Sequence, residues 1–280
     1  MITGKALGEK YIVNGKTADV SGFIPDMSAD IYYEVVRMID GKFLFLPDHL
    51  NRLKNSLLGT GLQFPGSESI TTNLKLLKEN NPFSEGNIRI CLQKTGENTL
   101  NNLCYFVPYF YPEIYMYKSG VKLVTYPHVR PNPGIKKWDN RFRVSVNEYI
   151  REYGVYEALL MNESQHITEG SRSNVFFIDQ NNNLITTPEK DILPGITRKY
   201  VLNICRENGI HVVDRPVQLG ELSSLVSCFI SGTSPKVLPV WQVDGIQFRV
   251  DHPVLQLLME EFDTLIDTNL TDLSGLDASH

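Results

Sequence analysis

The chain has 280 residues, 42 % hydrophobic and 21 % charged, enough for a sizeable core in one large or two ordinary domains. Its 27 Lys+Arg against 32 Asp+Glu leave a formal net charge of -5, which excludes generic binding to a nucleic-acid backbone. No apolar run reaches the roughly 18 residues of a spanning helix, and residues 1–13 lack the basic-then-apolar order of a secretion signal. Cys91, Cys104, Cys205 and Cys228 make no C-x-x-C pair and sit in apolar stretches, and the six histidines contain no H-x-x-x-H pair. Reduced core thiols, no metal and a cytoplasmic location are the expectation.

The first part reads as strands and hairpins. Tyr11-Ile12-Val13 runs into the turn Asn14-Gly15. A strand over 31–38 is turned back by Asp40-Gly41 into a second over 43–46. A helix from about Asp48 carries Leu50, Leu53 and Leu57 and stops at Gly59. Another is expected over 67–78, followed by strands over 87–93 and 103–109 joined at Thr95-Gly96-Glu97-Asn98. Three prolines and a glycine in Pro127-His128-Val129-Arg130-Pro131-Asn132-Pro133-Gly134 exclude helix interior and central strand. That stretch reads as a connector. Beyond it are expected helices over 140–152 and 197–208, the second stopped by Gly209, and strands over 156–161, 174–178, 211–217 and 226–231. Asp251 and Pro253 open a last amphipathic helix, and the polar tail from Thr268 reads as frayed. The result is a two-domain α+β chain: a smaller N-terminal domain over 1–118, a connector region over 119–134, a larger domain over 135–268 and a flexible tail over 269–280.

Glycine patterns for a dinucleotide or a P-loop are absent. Leu193-Pro194-Gly195-Ile196-Thr197-Arg198 opens into a helix, so backbone N–H groups and a hydroxyl converge at a positive dipole end. Ser231-Gly232-Thr233-Ser234-Pro235 offers a similar inventory after a strand. Each also reads as an ordinary cap or turn; together they suit a shared phosphate. Arg52, one turn after His49, is a surface arginine or a fork for a dianion. In Lys136-Lys137, a lysine is a solvated charge or, desolvated in a cleft, an amine able to attack a carbonyl. Glu169, in Thr168-Glu169-Gly170-Ser171-Arg172-Ser173-Asn174, is part of a turn or a carboxylate for a ring nitrogen. A phosphate cradle, an amine and such a carboxylate are the protein parts that pyridoxal phosphate requires.

These pieces stand in a familiar order. Tyr33-Glu34-Val35-Val36-Arg37, His49-Leu50-Asn51-Arg52-Leu53, the Lys136 region and Tyr156-Glu157-Ala158-Leu159-Leu160 come first. Thr168-Glu169-Gly170, Asn174-Val175-Phe176, Leu193 to Arg198 and Gly232-Thr233 before Leu238-Pro239-Val240 follow. The chain resembles the class IV, fold-type IV pyridoxal-phosphate aminotransferases over about residues 30–245. The resemblance implies a small N-terminal α/β domain and a larger C-terminal domain with a β-barrel-like core and flanking helices. It assigns Arg52, Ile196, Thr197 and Thr233 to the cofactor phosphate, Leu193 to one ring face and Glu169 to the pyridine nitrogen. Lys136 becomes the amine that bonds the cofactor aldehyde and then shuttles a proton. It is preferred to Lys137 because counting back from Tyr156-Glu157 gives the spacing of the D-amino acid branch. Tyr33, Arg89 and the Ser234 amide are implied for substrate; Arg130 is a carboxylate cap or solvated.

The family's tyrosine after the lysine has no counterpart in Asp139, Asn140 and Arg141, and Asn87-Ile88-Arg89 replaces its Tyr-Ile-Arg. The implied activity is transfer of an amino group from an amino acid, branched-chain first, to a 2-oxo acid such as 2-oxoglutarate. A homodimer that binds neither nucleic acid nor membrane is implied. The alternatives are aminodeoxychorismate lyase, a D-amino acid aminotransferase, and a catalytically silent homologue kept for binding or assembly.

Overall fold

The computed structural model describes residues 5–24 and 30–274. Residues 1–4, 25–29 and the end of the expected tail, 275–280, lie outside them. The chain divides into two compact units.

The first unit takes in the described residues up to Phe110, a short strap Ile135–Asn140, and those from Thr268 onward. Its strands are β1 (Leu7–Val13), β2 (Lys16–Asp19), β3 (Ile31–Ile39) and β4 (Lys42–Leu44), then helices α1 (Leu46–Asn55) and α2 (Ser67–Glu79), then β5 (Gly86–Lys94) and β6 (Leu100–Val107). The two hairpins form as the dipeptides predict. Asn14 and Gly15 have φ of 50° and 78°, Asp40 and Gly41 of 47° and 71°, the left-handed pair that a two-residue turn needs. The sheet runs Leu270–Thr271, β4, β3, β5, β6, β1, β2. Alternation along its strands separates two faces. Tyr32, Val36, Met38, Ile88, Ile90 and Phe106 pack with Leu50, Leu53, Ile70 and Leu74 of the two helices. Ile31, Tyr33, Cys91 and Tyr105 form a smaller cluster on the other face, with Phe23 and Trp138 against it. Each fully buried Leu or Ile contributes about 1.5–3 kcal/mol through removal from water.

The second unit comprises 111–134 and 141–267. In order it has α3 (Ile114–Ser119), β7 (Val121–Pro127), α4 (Asn140–Tyr153), β8 (Glu157–Met161), β9 (His166–Gly170), β10 (Asn174–Ile178), β11 (Leu184–Thr186) and α5 (Ile196–Glu207). Then come β12 (Val212–Asp214), β13 (Val217–Gln218), β14 (Ser227–Gly232), β15 (Lys236–Val243), β16 (Ile246–Gln247) and α6 (Pro253–Thr268). Its ten-stranded sheet is ordered β12, β11, β10, β14, β15, β7, β8, β9, β13, with β16 on β15. Strand β7 is parallel to both β8 and β15. Leu123, Leu159, Phe177, Ile230, Leu238 and Val240 fill one side.

Several expectations need correcting. The boundary placed at 118 falls at 110/111. Much of the connector region 119–134 is β7, because Val121, Leu123 and Val124 bury into the sheet and the proline-dense part begins only at its end. The domain written as 135–268 loses 135–140 to the first unit: the N–H of Tyr33 donates to the Lys136 carbonyl at 3.1 Å and that of Trp138 to Ile31 at 2.8 Å. The tail is not wholly frayed, since Leu270 pairs with Leu44 and Thr271 with Phe43. The strand over 43–46 ends at Leu44, Phe45 turns at φ 52°, and α1 starts at Leu46 with proline in its first turn. The strand over 211–217 is two strands at opposite ends of the sheet, split at Pro216, which has no N–H to pair. Thr168 to Gly170 belong to β9; the turn is confined to Ser171-Arg172-Ser173.

Candidate active site

In the first unit, alternation along β3 sends Tyr32 and Glu34 to the helical face and Tyr33 to the other. Glu34 is fully buried. Arg52 grips it bidentately, Nε donating to Oε1 at 2.7 Å and Nη2 to Oε2 at 2.6 Å, while His49 Nδ1 lies 2.7 Å from Oε2. Burial by itself would raise the Glu34 pKa, but the charge and hydrogen bonds of Arg52, with His49, hold it far below the usual carboxylate range. An ionised carboxylate can only accept, so His49 carries its proton on Nδ1. Burial pushes the His49 pKa down against the pull of Glu34, and the nearby charges of Arg52 and Lys136 push the same way. The anion fork expected of Arg52 therefore has two of its three nitrogens engaged by Glu34. Neither Glu34 nor His49 was singled out by the sequence, although period two in the strand and the i, i+3 pair His49/Arg52 are the signals that join them.

The strap runs antiparallel beside the start of β3, with Tyr32 bridging Lys137. The Lys136 N–H donates to Ser56 Oγ at 3.3 Å, and that hydroxyl donates to the Arg52 carbonyl at 3.0 Å. The two adjacent lysines therefore diverge. Lys136 Nζ stands 5.1 Å from the centre of the Tyr33 ring. Lys137 Nζ pairs with Asp30 Oδ1 at 2.7 Å on a side chain 44 % exposed.

On the Tyr33 side lies a cavity of about 440 Å³, its mouth included, lined by Tyr33, Arg89, Cys91, Tyr105, Trp138 and Phe23 among others. The Arg89 guanidinium sits 4.8 Å from the Trp138 ring, 5.5 Å from that of Tyr33 and 5.9 Å from that of Tyr105. Burial opposes its charge, yet Tyr105, Cys91 and Tyr33 raise its pKa overall. Burial likewise pushes the Cys91 thiol and the Tyr105 phenol up. The cavity thus holds one lasting positive charge among neutral groups.

In the second unit Glu169 is buried at the end of β9. Arg130 Nε donates to its Oε1 at 2.6 Å and the Leu193 N–H to its Oε2 at 3.1 Å. Arg130, left undecided by the sequence, is thus the partner of Glu169. The following turn is fastened by Glu157, fully buried, which accepts from the hydroxyls of Ser171 at 3.2 Å and Ser173 at 3.1 Å and from the Arg172 N–H. Arg143 Nη1 donates to the Ser171 carbonyl at 2.6 Å. Burial raises the Glu157 pKa, against the lowering effect of Arg172 and these hydrogen bonds.

Asn174 brings the two anion-suited loops together. It pairs across the sheet with Ser231 and donates from Nδ2 to the Leu193 carbonyl at 2.9 Å. A Cβ on Gly195 would stand 2.0 Å from Asn174 Oδ1, so any other residue would have to displace that side chain. Gly195 is the N-cap of α5 and gives no side-chain cap, leaving the first-turn amides of Ile196, Thr197 and Arg198 to an outside acceptor. Ser231 Oγ, on a residue 1 % exposed, has no hydrogen-bond partner. Thr233 and Ser234 occupy the turn directly after β14. An orphaned hydroxyl and an uncapped helix start meeting on one asparagine fit a phosphate; Asn174 and Ser231 carry that geometry without having been assigned to it from the sequence. Among the described residues no cluster of His, Cys, Asp and Glu could hold a metal, and no helix is long and apolar enough to cross a membrane.

The chain is 29 % identical over 262 residues to a protein assigned as a branched-chain-amino-acid aminotransferase in Methanocaldococcus jannaschii, covering 84 % of this chain and 88 % of that one. It is 29 % identical over 254 residues to the D-alanine aminotransferase of Bacillus licheniformis, covering 84 % and 89 %. Its fold matches the crystal structure of the Escherichia coli branched-chain amino acid aminotransferase with a TM-score of 0.83 at 19 % identity, over 96 % of this chain and all of the other. The amino-transferase class IV model matches residues 32–243, and the chain belongs to that family.

Proposed function

We propose that this class IV aminotransferase uses pyridoxal 5′-phosphate to move the amino group of an amino acid, branched-chain first, to a 2-oxo acid such as 2-oxoglutarate. The observation that carries the reading is the ring of Tyr33, which has the Lys136 amine on it at 5.1 Å and the Arg89 guanidinium at 5.5 Å. An amine for the transfer and a fork for a carboxylate thus face one phenol, while Lys137 is turned away to Asp30.

When bound, pyridoxal phosphate supplies an aldehyde for the amine and a ring that withdraws electrons from the substrate Cα. The chain's own groups do the rest. Ile196 and Thr197 at the start of α5, with Thr233 and the Ser231 hydroxyl, would take the phosphate, and the resemblance adds Arg52, whose charge is shared with Glu34. Leu193 would pack on the ring, and Glu169, held by the Leu193 N–H and Arg130, would keep a proton in place at the ring nitrogen. Lys136 Nζ moves the proton at Cα. Tyr33 and the Ser234 amide meet the substrate carboxylate; Arg89 meets a second carboxylate when the partner has one. A cytoplasmic homodimer goes with this reading.

The test is spectroscopic and then kinetic. Protein mixed with pyridoxal phosphate should show a visible absorbance band that leucine shifts; Lys136→Ala should abolish it and Lys137→Ala should keep it. The reverse pair of results would move the amine by one residue, and a colourless wild type would mean a silent homologue. Leucine with 2-oxoglutarate should yield glutamate. Both enantiomeric series belong in the screen, given the D-alanine aminotransferase relative. Pyruvate release from aminodeoxychorismate without that transfer would make the protein a lyase.

A further inference from the structure

Arg198 stands where a helix on its own would not place a cation. It is the third residue of α5, in a first turn with no acidic side chain, and a positive charge there works against the helix dipole. It is also buried, at 3 % exposed. Burial pulls its pKa down from the ordinary value, with Glu189 and Asp214 pulling the other way. Those two carboxylates lie 3.7 Å off on exposed side chains, where ion pairs contribute little. The firm contact is Nη2, which donates to the Thr187 carbonyl at 3.1 Å, while Nε is buried with no hydrogen-bond partner. Thr187 in turn donates from its hydroxyl to the carbonyl of Ile167 at 3.1 Å, two residues before Glu169 on β9. The start of α5 is thereby tied to the strand that carries Glu169. An apolar side chain would fill this place without desolvating a charge; a cation there is favourable only when an anion sits at the same helix end.

We infer that Arg198 is a positioning residue for the cofactor phosphate: anchored on Thr187, it holds the first turn of α5 so that the Ile196 and Thr197 amides stay gathered on a dianion, and it adds a charge that water does not screen. This rests on the phosphate reading given above and deepens it. Arg198 makes no bond to the phosphate in this role; it acts through the helix start. The ligand class is a phosphate monoester, for which inorganic phosphate serves as a probe.

The experiment compares ligands that differ in the phosphate alone. Pyridoxal phosphate, pyridoxal and inorganic phosphate are titrated into the cofactor-free full chain of wild type, Arg198→Met and Arg198→Lys. Visible absorbance follows the two aldehydes and calorimetry follows inorganic phosphate. Wild type should bind pyridoxal phosphate far more tightly than pyridoxal. Arg198→Met should weaken pyridoxal phosphate and inorganic phosphate about tenfold, the scale of a charge at a partly buried helix end, and leave pyridoxal within about twofold. Arg198→Lys, which keeps a cation able to donate to the Thr187 carbonyl, should recover most of the difference. Equal losses for pyridoxal phosphate and pyridoxal would make Arg198 merely structural and overturn the inference. A Lys variant no better than Met, or a Met variant that binds like wild type, would overturn it too. Thermal melts without ligand report folding; if the Met variant does not fold, Arg198→Gln takes its place with the same expectation. Wild type that binds pyridoxal as tightly as pyridoxal phosphate would refute the phosphate reading itself, a result distinct from a wild-type preference that the Met variant keeps.

Discussion

Replacing Glu34 with Gln should be the most damaging conservative change in the first unit. The carboxylate is fully buried and takes three hydrogen bonds of 2.6–2.7 Å from Arg52 and His49. The variant loses the charge, strands the buried Arg52 cation, and sets an amide N–H₂ against donors that have nowhere else to point. Removing one member of a buried, hydrogen-bonded pair costs about 3–5 kcal/mol. For a unit of this size each kcal/mol is about 3–4 °C, so the melting temperature should fall by about 10–20 °C. The sign with pH follows from linkage. Glu34 is depressed in the folded state, so its contribution is complete above the ordinary value of 4.5 and is lost as pH falls toward the folded value. The gap between wild type and variant should hold from about pH 8 to about pH 5 and narrow below that. His49, pushed down by burial, should lower the stability of both proteins as pH falls through 6.5. Melts of both proteins across that range, followed by circular dichroism, make the measurement. A drop under about 2 °C at neutral pH, or a gap that closes as pH rises, would refute the argument that the triad is a tight buried ion pair.

Gly195→Ala should cost about 1–3 kcal/mol from overpacking against Asn174 Oδ1 and weaken pyridoxal phosphate binding, read by melting without cofactor and by cofactor titration. Glu157→Gln should behave in the opposite way to Glu34→Gln. Burial raises the Glu157 pKa, so the native state loses ground as pH rises above 4.5, and a neutral amide removes that loss. The variant should be as stable as wild type near pH 4 and equal or better at pH 8, with its hydroxyl partners kept; a large loss at pH 8 would show that the charge itself is needed. Lys136→Ala and Lys137→Ala should divide as described, by visible absorbance.

Much of the frame is readable from residue pattern because the local and tertiary preferences agree. Asn14-Gly15 and Asp40-Gly41 take the left-handed turn whatever surrounds them, and Ile70, Leu74 and Leu77 make one helical stripe that one sheet face buries. Pattern fails where an element is short or its partner is remote. Leu270–Thr271 has two residues and no signal of its own; it is a strand because β4 has an edge to cover. Val121 to Pro127 ends in the same proline that makes the next residues look like linker, so its apolar half was absorbed into the connector. The polar Thr168-Glu169-Gly170 reads as turn by composition, yet it is strand, because Leu159 and Met161 of β8 pair with Gly170 and Ile167 there.

The site shows the same division. Lys136, Arg89, Glu169 and the Gly195 loop are chemically conspicuous types at conspicuous places, so a sequence can nominate them. Which of two adjacent lysines faces Tyr33 is not a property of either lysine. It is set by the strap lying antiparallel on β3, because consecutive residues of an extended segment face opposite sides. Tyr32 and Tyr33 already diverge on β3, one toward the helices and one toward the cavity, and the strap carries the same alternation to its own residues. Lys136 follows Tyr33; Lys137 is left to Asp30. Trp138 returns two residues later to the side of Lys136, so the same six-residue strap presents both the lysine and a ring 4.8 Å from the Arg89 guanidinium. A one-residue slip of that strap would exchange the lysines and withdraw the tryptophan together, so the hydrogen bonds of Tyr33 and Trp138 to the strap hold the register of the chemistry as well as the edge of a sheet.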